Sequence, residues 1–221
     1  MTRVIFFDAA GTLLHLPRGV GWHYREVALR HGADLGEEEL NRAFRAVWRT
    51  VDAPRETRVP REDDDRGWWR VLVFQVLDAC AAGASMDRAA YFEELWEEFA
   101  KPGVWELYPE TREVLTALRG RFRMGVLSNF DSRLRRILPC LGIGEFFEEM
   151  IVSSEVGAEK PSAFIYEEAL RRFGVRAGEA LHVGDEPEAD WRGARAAGMQ
   201  VFELRRPGKT LRDLLSLTRA C

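Results

Sequence analysis

Val4-Ile5-Phe6-Phe7-Asp8-Ala9-Ala10-Gly11-Thr12-Leu13-Leu14 opens the chain, and its order of residues decides how the rest is read. An apolar run ends at a single acid, and a glycine and a threonine follow at once. A strand buried on both faces of a parallel sheet reads as such a run. The carboxyl ends of those strands are where α/β proteins meet their ligands. Asp8 is therefore a candidate nucleophile, metal ligand or both. An N-terminal strand ending in one acid also occurs without any site, so the meaning of Asp8 depends on what else the chain supplies. Ala10 places no second carboxylate beside it.

Strand and helix patterns alternate again after Pro102-Gly103. Pro109–Arg119 reads as a helix, and Phe122–Leu127 as a strand ending in Ser128-Asn129. Ser132–Cys140 is helical, and Met150–Ser153 is a strand followed by a loop with Glu159-Lys160-Pro161. Ala163–Phe173 is a helix closed by Gly174. Ala180–Val183 is a strand ending in Gly184-Asp185, Glu188–Ala197 a helix, Met199–Leu204 a last strand and Leu211–Arg219 a terminal helix. This alternation predicts a parallel sheet covered on both faces.

Between the first strand and this alternating region lies a different pattern. Helical spacing of apolar residues predicts helices over 22–31, 36–51, 66–82 and 87–99. Asp52 to Asp65 has two prolines, dense charge and no apolar period, and reads as a loop whose mobility is open. The domain expectation is an α/β core of residues 1–16 and 101–221 with a helical cap of residues 17–100. The tryptophans of that module are expected to build its core or pack it onto the rest, because a small bundle needs large aromatics for sufficient burial.

Composition limits the function. Of the 221 residues 46% are apolar, enough for a substantial core, and the net charge is −4 with both signs interspersed. No basic block suits a nucleic-acid backbone, so nucleic acid is not expected as a partner, though the pair Arg205-Arg206 leaves a small anion open. The three cysteines, Cys80, Cys140 and Cys221, have neither metal spacing nor a disulfide framework, which fits a reducing compartment. The chain opens on a strand without a leader-like segment, and no apolar run reaches membrane-spanning length. A cytoplasmic protein without a membrane partner is expected, either monomer or homodimer.

Asp8, Ser128 and Asp185 each follow a short apolar strand, and Lys160 lies in the loop after another. In a parallel sheet these positions share one edge. Singly each has an ordinary reading: Ser128-Asn129 as a turn, Asp185 as a helix cap, Lys160 as a solvated side chain. Together they suit phosphoryl transfer, which needs a nucleophile, hydrogen-bond donors and positive charge. Asp8 can attack phosphorus, Thr12 and Ser128 can donate hydroxyls, and Lys160 can offset negative charge. Backbone N–H groups of Ala9, Ala10, Gly11 and Asn129 can add donors. A carboxylate meeting a phosphate also calls for a divalent ion. Asp8 and Asp185 can bind Mg2+, with Asp190 acting through water or by ordering Asp185. The alternative reading of Asp190 is an ordinary acid in the first turn of a helix.

With these residues in order, the chain resembles haloacid dehalogenase (HAD) superfamily hydrolases with a helical cap inserted after the first motif. Asp8-Ala9-Ala10-Gly11-Thr12 stands for Asp-x-Asp-x-Thr, Ser128 for the strand-end Ser or Thr, Lys160 for the third motif, and Gly184 through Asp190 for Gly-Asp-x-x-x-x-Asp. The run Ser128–Leu134 and the run Val152–Pro161 are similar to the REG-2-like or HDHD3-like subgroup. The resemblance implies a Rossmann-like parallel-sheet HAD core with a helical cap that closes over the site. It also implies an aspartyl-phosphate on Asp8, a small phosphorylated substrate, and Mg2+ held by Asp8, the Ala10 carbonyl, Asp185 and Asp190. Asp131 and Arg133 are expected to form a local ion pair or cap, with substrate contact as the alternative.

Ala10 departs from that pattern. The family's second acid protonates the leaving group and later activates water, which alanine cannot do. Three accounts follow: a substrate with a good leaving group such as an aryl or acyl phosphate, a proton from elsewhere (His15, His23 or Glu26), or a protein that binds a phosphorylated ligand or partner and turns over slowly. Phosphonoacetaldehyde hydrolases share the alanine but use a cap lysine, and residues 17–100 contain none. Haloacid dehalogenases also lack the second acid, but the pair Asp185 and Asp190 does not suit their metal-free chemistry.

Overall fold

The structure, a computed structural model, describes residues 1–80 and 86–218. The expected ends of the third helix (81–82) and of the terminal helix (Arg219), together with Cys221, lie outside the described residues. The chain groups into two units. One comprises Met1–His15, Arg55–Asp64 and the chain from Glu106 onward, the other Leu16–Pro54 and Asp65–Trp105.

The first unit is built on a five-stranded sheet. Its strands are β1 (Val4–Phe7), β4 (Arg123–Ser128), β5 (Glu149–Val152), β6 (Ala180–Gly184) and β7 (Gln200–Glu203), in the order β5-β4-β1-β6-β7. All neighbours are parallel, with Phe7 opposite both Val126 and Val183. Two short strands, β2 (Leu14–His15) and β3 (Glu106–Leu107), pair antiparallel where the chain leaves this unit and where it finally returns. Helices α5 (Thr111–Leu118), α6 (Leu134–Cys140), α7 (Ser153–Val156), α8 (Ala163–Phe173), α9 (Gly193–Ala196) and α10 (Leu211–Thr218) complete it. Val4 and Phe6 face a core with Leu127, Ile151, Ile165, Tyr166 and Phe173. The rings of Phe6 and Phe173 meet edge-on at 4.8 Å.

This is the expected Rossmann-like parallel core. From β1 the chain builds outward through β4 and β5, then crosses to β6 on the other flank of β1. The strand order thus reverses between β1 and β6, and α/β sheets meet their ligands at the carboxyl edge of such a switch point. Between β6 and α9, Pro187–Arg192 forms a turn of π-helix, where an uninterrupted α-helix was expected.

The second unit contains α1 (Gly19–Arg30), α2 (Glu37–Trp48), α3 (Arg66–Ala79) and α4 (Arg88–Glu98). Gly32, with φ +78°, closes α1, and Asp87 caps α4 by accepting from Ala89 and Ala90 N–H. Tyr24, Val27, Leu40, Leu72, Val76, Tyr91, Phe92 and Trp96 form its core, with Trp68 and Trp69 half-buried against it. Trp48 stacks on Phe44 at 5.7 Å yet stays 51% exposed, so the aromatic core reaches the surface there.

Residues 55–64 differ from the expected division. They lie in sequence between α2 and α3 but belong with the α/β unit, because Thr57, Arg58 and Arg61 donate their backbone N–H groups to carbonyls of Gly157 and Ser154. Among the described residues, no helix is long and apolar enough to cross a membrane.

Candidate active site

Asp8 follows β1 directly and is buried, and its N–H donates to Val183 O at 2.9 Å. Its Oδ1 accepts from Ser128 Oγ at 3.0 Å and from Lys160 Nζ at 2.7 Å. The Lys160 ammonium, also buried, donates in addition to Asp190 Oδ1 at 2.5 Å. Burial pushes the Asp8 carboxyl up to about 6, against the lowering pull of Lys160. Burial opposes the Lys160 charge, yet Asp8 and Asp190 outweigh it and hold the ammonium above its ordinary pKa. Burial would likewise raise Asp190, but Lys160 and His182 overcome it and keep that carboxyl below its usual range.

The loop after β1 is fixed by its own backbone. The Ala9 carbonyl accepts from Thr12, Leu13 and Leu14 N–H, and Gly11 N–H donates to Leu14 O at 2.8 Å. Gly11 has φ +88°, and a Cβ there would lie 2.4 Å from Asp185 Oδ2, so only glycine fits between this loop and the one after β6. Side chains brace the loop from outside. Thr111 Oγ1 donates to Leu13 O at 2.8 Å, and Arg206 Nη2 donates to Thr12 O at 3.0 Å. Arg206 lies over the Tyr108 ring and pairs with Glu110, so the basic pair flagged in the sequence is absorbed here in part.

Three expected phosphate donors face other acceptors in the structure, the first being Ser128 Oγ, which donates to Asp8. Gly11 N–H is committed to Leu14, and Thr12 Oγ1 donates to Asp185 Oδ1 at 2.9 Å. Among the described residues, the N–H groups of Ala9, Ala10 and Asn129 meet no acceptor, and the Ala10 carbonyl meets no donor. Ala10 itself is exposed.

Asp8, Asp185 and Asp190 each offer a carboxylate oxygen within 4.8 Å of the others, a set able to hold a metal ion. All are hard oxygen donors. Burial raises the Asp185 carboxyl, against the hydrogen bond from Thr12. Burial is the main cause of the rise at both Asp8 and Asp185, and a cation bound between them would favour their ionised forms. Asp190 is already satisfied: beyond Lys160, its Oδ1 accepts from His182 Nε2 at 2.8 Å and its Oδ2 from Glu186 N–H at 3.0 Å.

Several members of the site escaped the sequence reading. His182 is fully buried in β6 and presents Nε2 to Asp190, and its polarity inside Ala180-Leu181-His182-Val183 was the available signal. The Asn129 side chain grips the Lys160 peptide, with Nδ2 donating to the carbonyl and Oδ1 accepting from the N–H. Trp191 Nε1 donates to Gly184 O at 2.9 Å, tying the π-turn to the strand end. Asp131 and Arg133 form the expected local pair, a buried two-point bridge with both N–O distances at 2.7 Å.

A parallel sheet in Rossmann order whose carboxyl edge gathers Asp8, Ser128, Lys160, Asp185 and Asp190 is the arrangement of a HAD-type hydrolase. The family model for haloacid dehalogenase-like hydrolases matches residues 2–198, and the chain belongs to that family. It is 32% identical over 206 residues to haloacid dehalogenase-like hydrolase domain-containing protein 3 of Mus musculus, covering 90% of this chain and 80% of that one. A glyceraldehyde 3-phosphate phosphatase of Methanopyrus kandleri is 43% identical over 101 residues, 45% of this chain and 43% of that one. Among solved structures, the putative HAD-hydrolase YfnB of Bacillus subtilis, bound to magnesium, superimposes with a TM-score of 0.77 at 18% identity, over 99% of both chains.

Proposed function

We propose that the protein is a Mg2+-dependent hydrolase of small phosphorylated molecules that works through an aspartyl-phosphate on Asp8. The observation that carries this is the asymmetry of Asp8: Oδ1 is held by Ser128 and Lys160, while Oδ2 accepts no hydrogen bond among the described residues. A carboxylate gripped on one oxygen and open on the other is oriented for attack or for a metal. The relative in Methanopyrus kandleri, named as a phosphatase of a phosphorylated triose, supports phosphate-ester chemistry.

In the first step an Asp8 oxygen forms a bond to phosphorus and the bond to the leaving oxygen breaks. In the second, water attacks phosphorus, the Asp8–phosphorus bond breaks and inorganic phosphate leaves. The free N–H groups of Ala9, Ala10 and Asn129 donate to the phosphoryl oxygens, while the Ser128 hydroxyl holds Asp8 Oδ1 so that Oδ2 faces phosphorus. Lys160 balances charge at Asp8. Mg2+ held by Asp8, Asp185 and the Ala10 carbonyl would offset the charge of a phosphate dianion meeting a carboxylate. Asp190 orders this set by holding Lys160 and the Glu186 N–H next to Asp185. Thr12 positions Asp185.

Ala10 supplies no proton to the leaving oxygen. That favours substrates whose leaving group departs unaided, and it also supports a second reading, a protein that binds a phosphorylated ligand or partner with little turnover. Assays of aryl, acyl and alkyl phosphates with Mg2+ separate them. Metal-dependent turnover that is lost in D8N is expected. A10D should raise alkyl-ester turnover by about 10²–10⁴, the usual worth of a placed acid/base. Position 10 is exposed, so the new carboxylate enters without a burial cost. If wild type and A10D match D8N on every substrate, the hydrolase reading fails and the binding reading stands.

A further inference from the structure

Residues 55–64 sit on the loops that carry the site. Thr57 and Arg58 donate their N–H groups to Gly157 O at 2.8 and 3.1 Å, and Arg61 N–H donates to Ser154 O at 2.9 Å. Ser162, two residues after Lys160, donates its hydroxyl to Glu56 at 2.6 Å. The Arg58 guanidinium lies 5.2 Å over the Phe164 ring. At the far end Asp64 takes three donors: Ser132 N–H at 3.0 Å, the Ser132 hydroxyl and the Ser154 hydroxyl. Ser132 belongs to the loop that begins at Ser128, and Ser154 to the segment between β5 and Lys160. Ser154 N–H in turn donates to Phe130 O at 3.2 Å.

Two further features show that the seat is built. Gly157 has φ +74°, and a Cβ there would lie 2.0 Å from Val59 O, so only a glycine admits the segment. The positive-φ non-glycine residues among those described are Arg58, Asp64 and Asp65, all in this segment or at its exit. Side chains resist that region, and such residues persist where the surroundings over-determine them, often at functional sites.

We propose that residues 55–64 are a strap that holds the loop of Ser128 and Asn129 in register with the loop of Lys160, with Asp64 as the positioning residue. The strap bridges the two loops from outside, so it sets the spacing of the groups that receive a phosphoryl oxygen. The strap's hydrogen bonds to Ser132, Ser154, Gly157 and Ser162 run to the loops after β4 and β5, which lie on one flank of β1, whereas β6 with Asp185 lies on the other. This assignment rests on the phosphohydrolase reading for its effect on phosphate, but not for the strap itself.

The test uses the full chain and the variants Asp64→Ala, Asp64→Asn, Ser132→Ala and Ser154→Ala. Amide hydrogen exchange is measured first, then binding of Mg2+ alone and of inorganic phosphate with Mg2+ by calorimetry. In wild type the amides of Thr57, Arg58, Arg61 and Ser132 should be protected. Asp64→Ala should weaken phosphate binding about tenfold, the worth of one or two hydrogen bonds, and leave the Mg2+ affinity unchanged. Asp64→Asn keeps an acceptor oxygen and should bind phosphate nearly as wild type does. The serine variants should give smaller losses and carry the test if Asp64→Ala does not fold. Equal phosphate binding in wild type and Asp64→Ala overturns the proposal, as does a matched loss of Mg2+ and phosphate binding. If wild type binds no phosphate, the phosphohydrolase reading fails. The strap is then decided by exchange, and random-coil rates at Thr57, Arg58 and Arg61 would overturn it.

Discussion

Asn129 holds the peptide of Lys160 at both ends, its Nδ2 donating to the carbonyl at 2.9 Å and its Oδ1 accepting from the N–H at 2.7 Å. The two residues are 31 positions apart and lie on loops after different strands. The amide thus fixes the backbone from which the ammonium reaches Asp8 and Asp190.

N129A should leave both Lys160 peptide groups without their partner. A loss of about 1–3 kcal/mol in stability is expected from two part-buried groups left unmade. Turnover of an activated phosphate should fall with it, because the ammonium loses its anchor. Denaturant unfolding together with steady-state rates checks this. Wild-type stability and rate in N129A would show that the clamp is idle.

K160M should cost about 3–5 kcal/mol near neutral pH, the usual penalty for leaving buried charge uncompensated. Without the ammonium the folded-state carboxyls of Asp8 and Asp190 both move up. An acid with a raised folded pKa stabilises the fold as pH drops towards its unfolded value, because the folded state then holds the proton more tightly. The deficit of K160M relative to wild type should therefore shrink between pH 7.5 and pH 5. Urea midpoints at the two pH values would contradict this if the gap stayed constant or widened.

Metal affinity should depend on pH through Asp8. Burial brings its carboxyl up to about 6 in the metal-free protein, so protons compete with a cation for it. Below that value the apparent Mg2+ affinity should drop roughly tenfold per pH unit, more steeply if Asp185 also takes up a proton. Above about pH 7 it should level off. Calorimetric titrations from pH 5 to 8 measure the slope, and a flat profile from 5 to 7 would exclude Asp8 as a ligand that titrates there.

Asp8, Ser128 and Asp185 were legible because each sits at or just beyond a short apolar strand, and Lys160 because it lies in the connection that follows one; a parallel sheet brings such ends to one edge. Their partners were less legible. Nothing in sequence spacing says that Asn129 turns its side chain to Lys160 or that Thr12 donates to Asp185, because those pairs are made by adjacent strands distant in sequence. The antiparallel pair at Leu14–His15 and Glu106–Leu107 is two residues long on each side, too short for any period. The expected helix from Glu188 hid a π-turn, which shares the composition of an α-helix and differs only in its hydrogen bonds. Residues 55–64 were read correctly as irregular, but a polar segment without an apolar face carries no sign of what its backbone will bind.

The chain passes between its two units four times, after His15, Pro54, Asp64 and Trp105. The helical unit is therefore not a cassette. A single excision from Leu16 to Trp105 removes ten residues of the α/β unit as well, and any module exchanged between relatives at those joints brings a foreign 55–64 with it. A chimera made to alter substrate choice would then also change what lies against Ser132 and Ser154. A graft that leaves the α/β unit intact needs two separate replacements, Leu16–Pro54 and Asp65–Trp105.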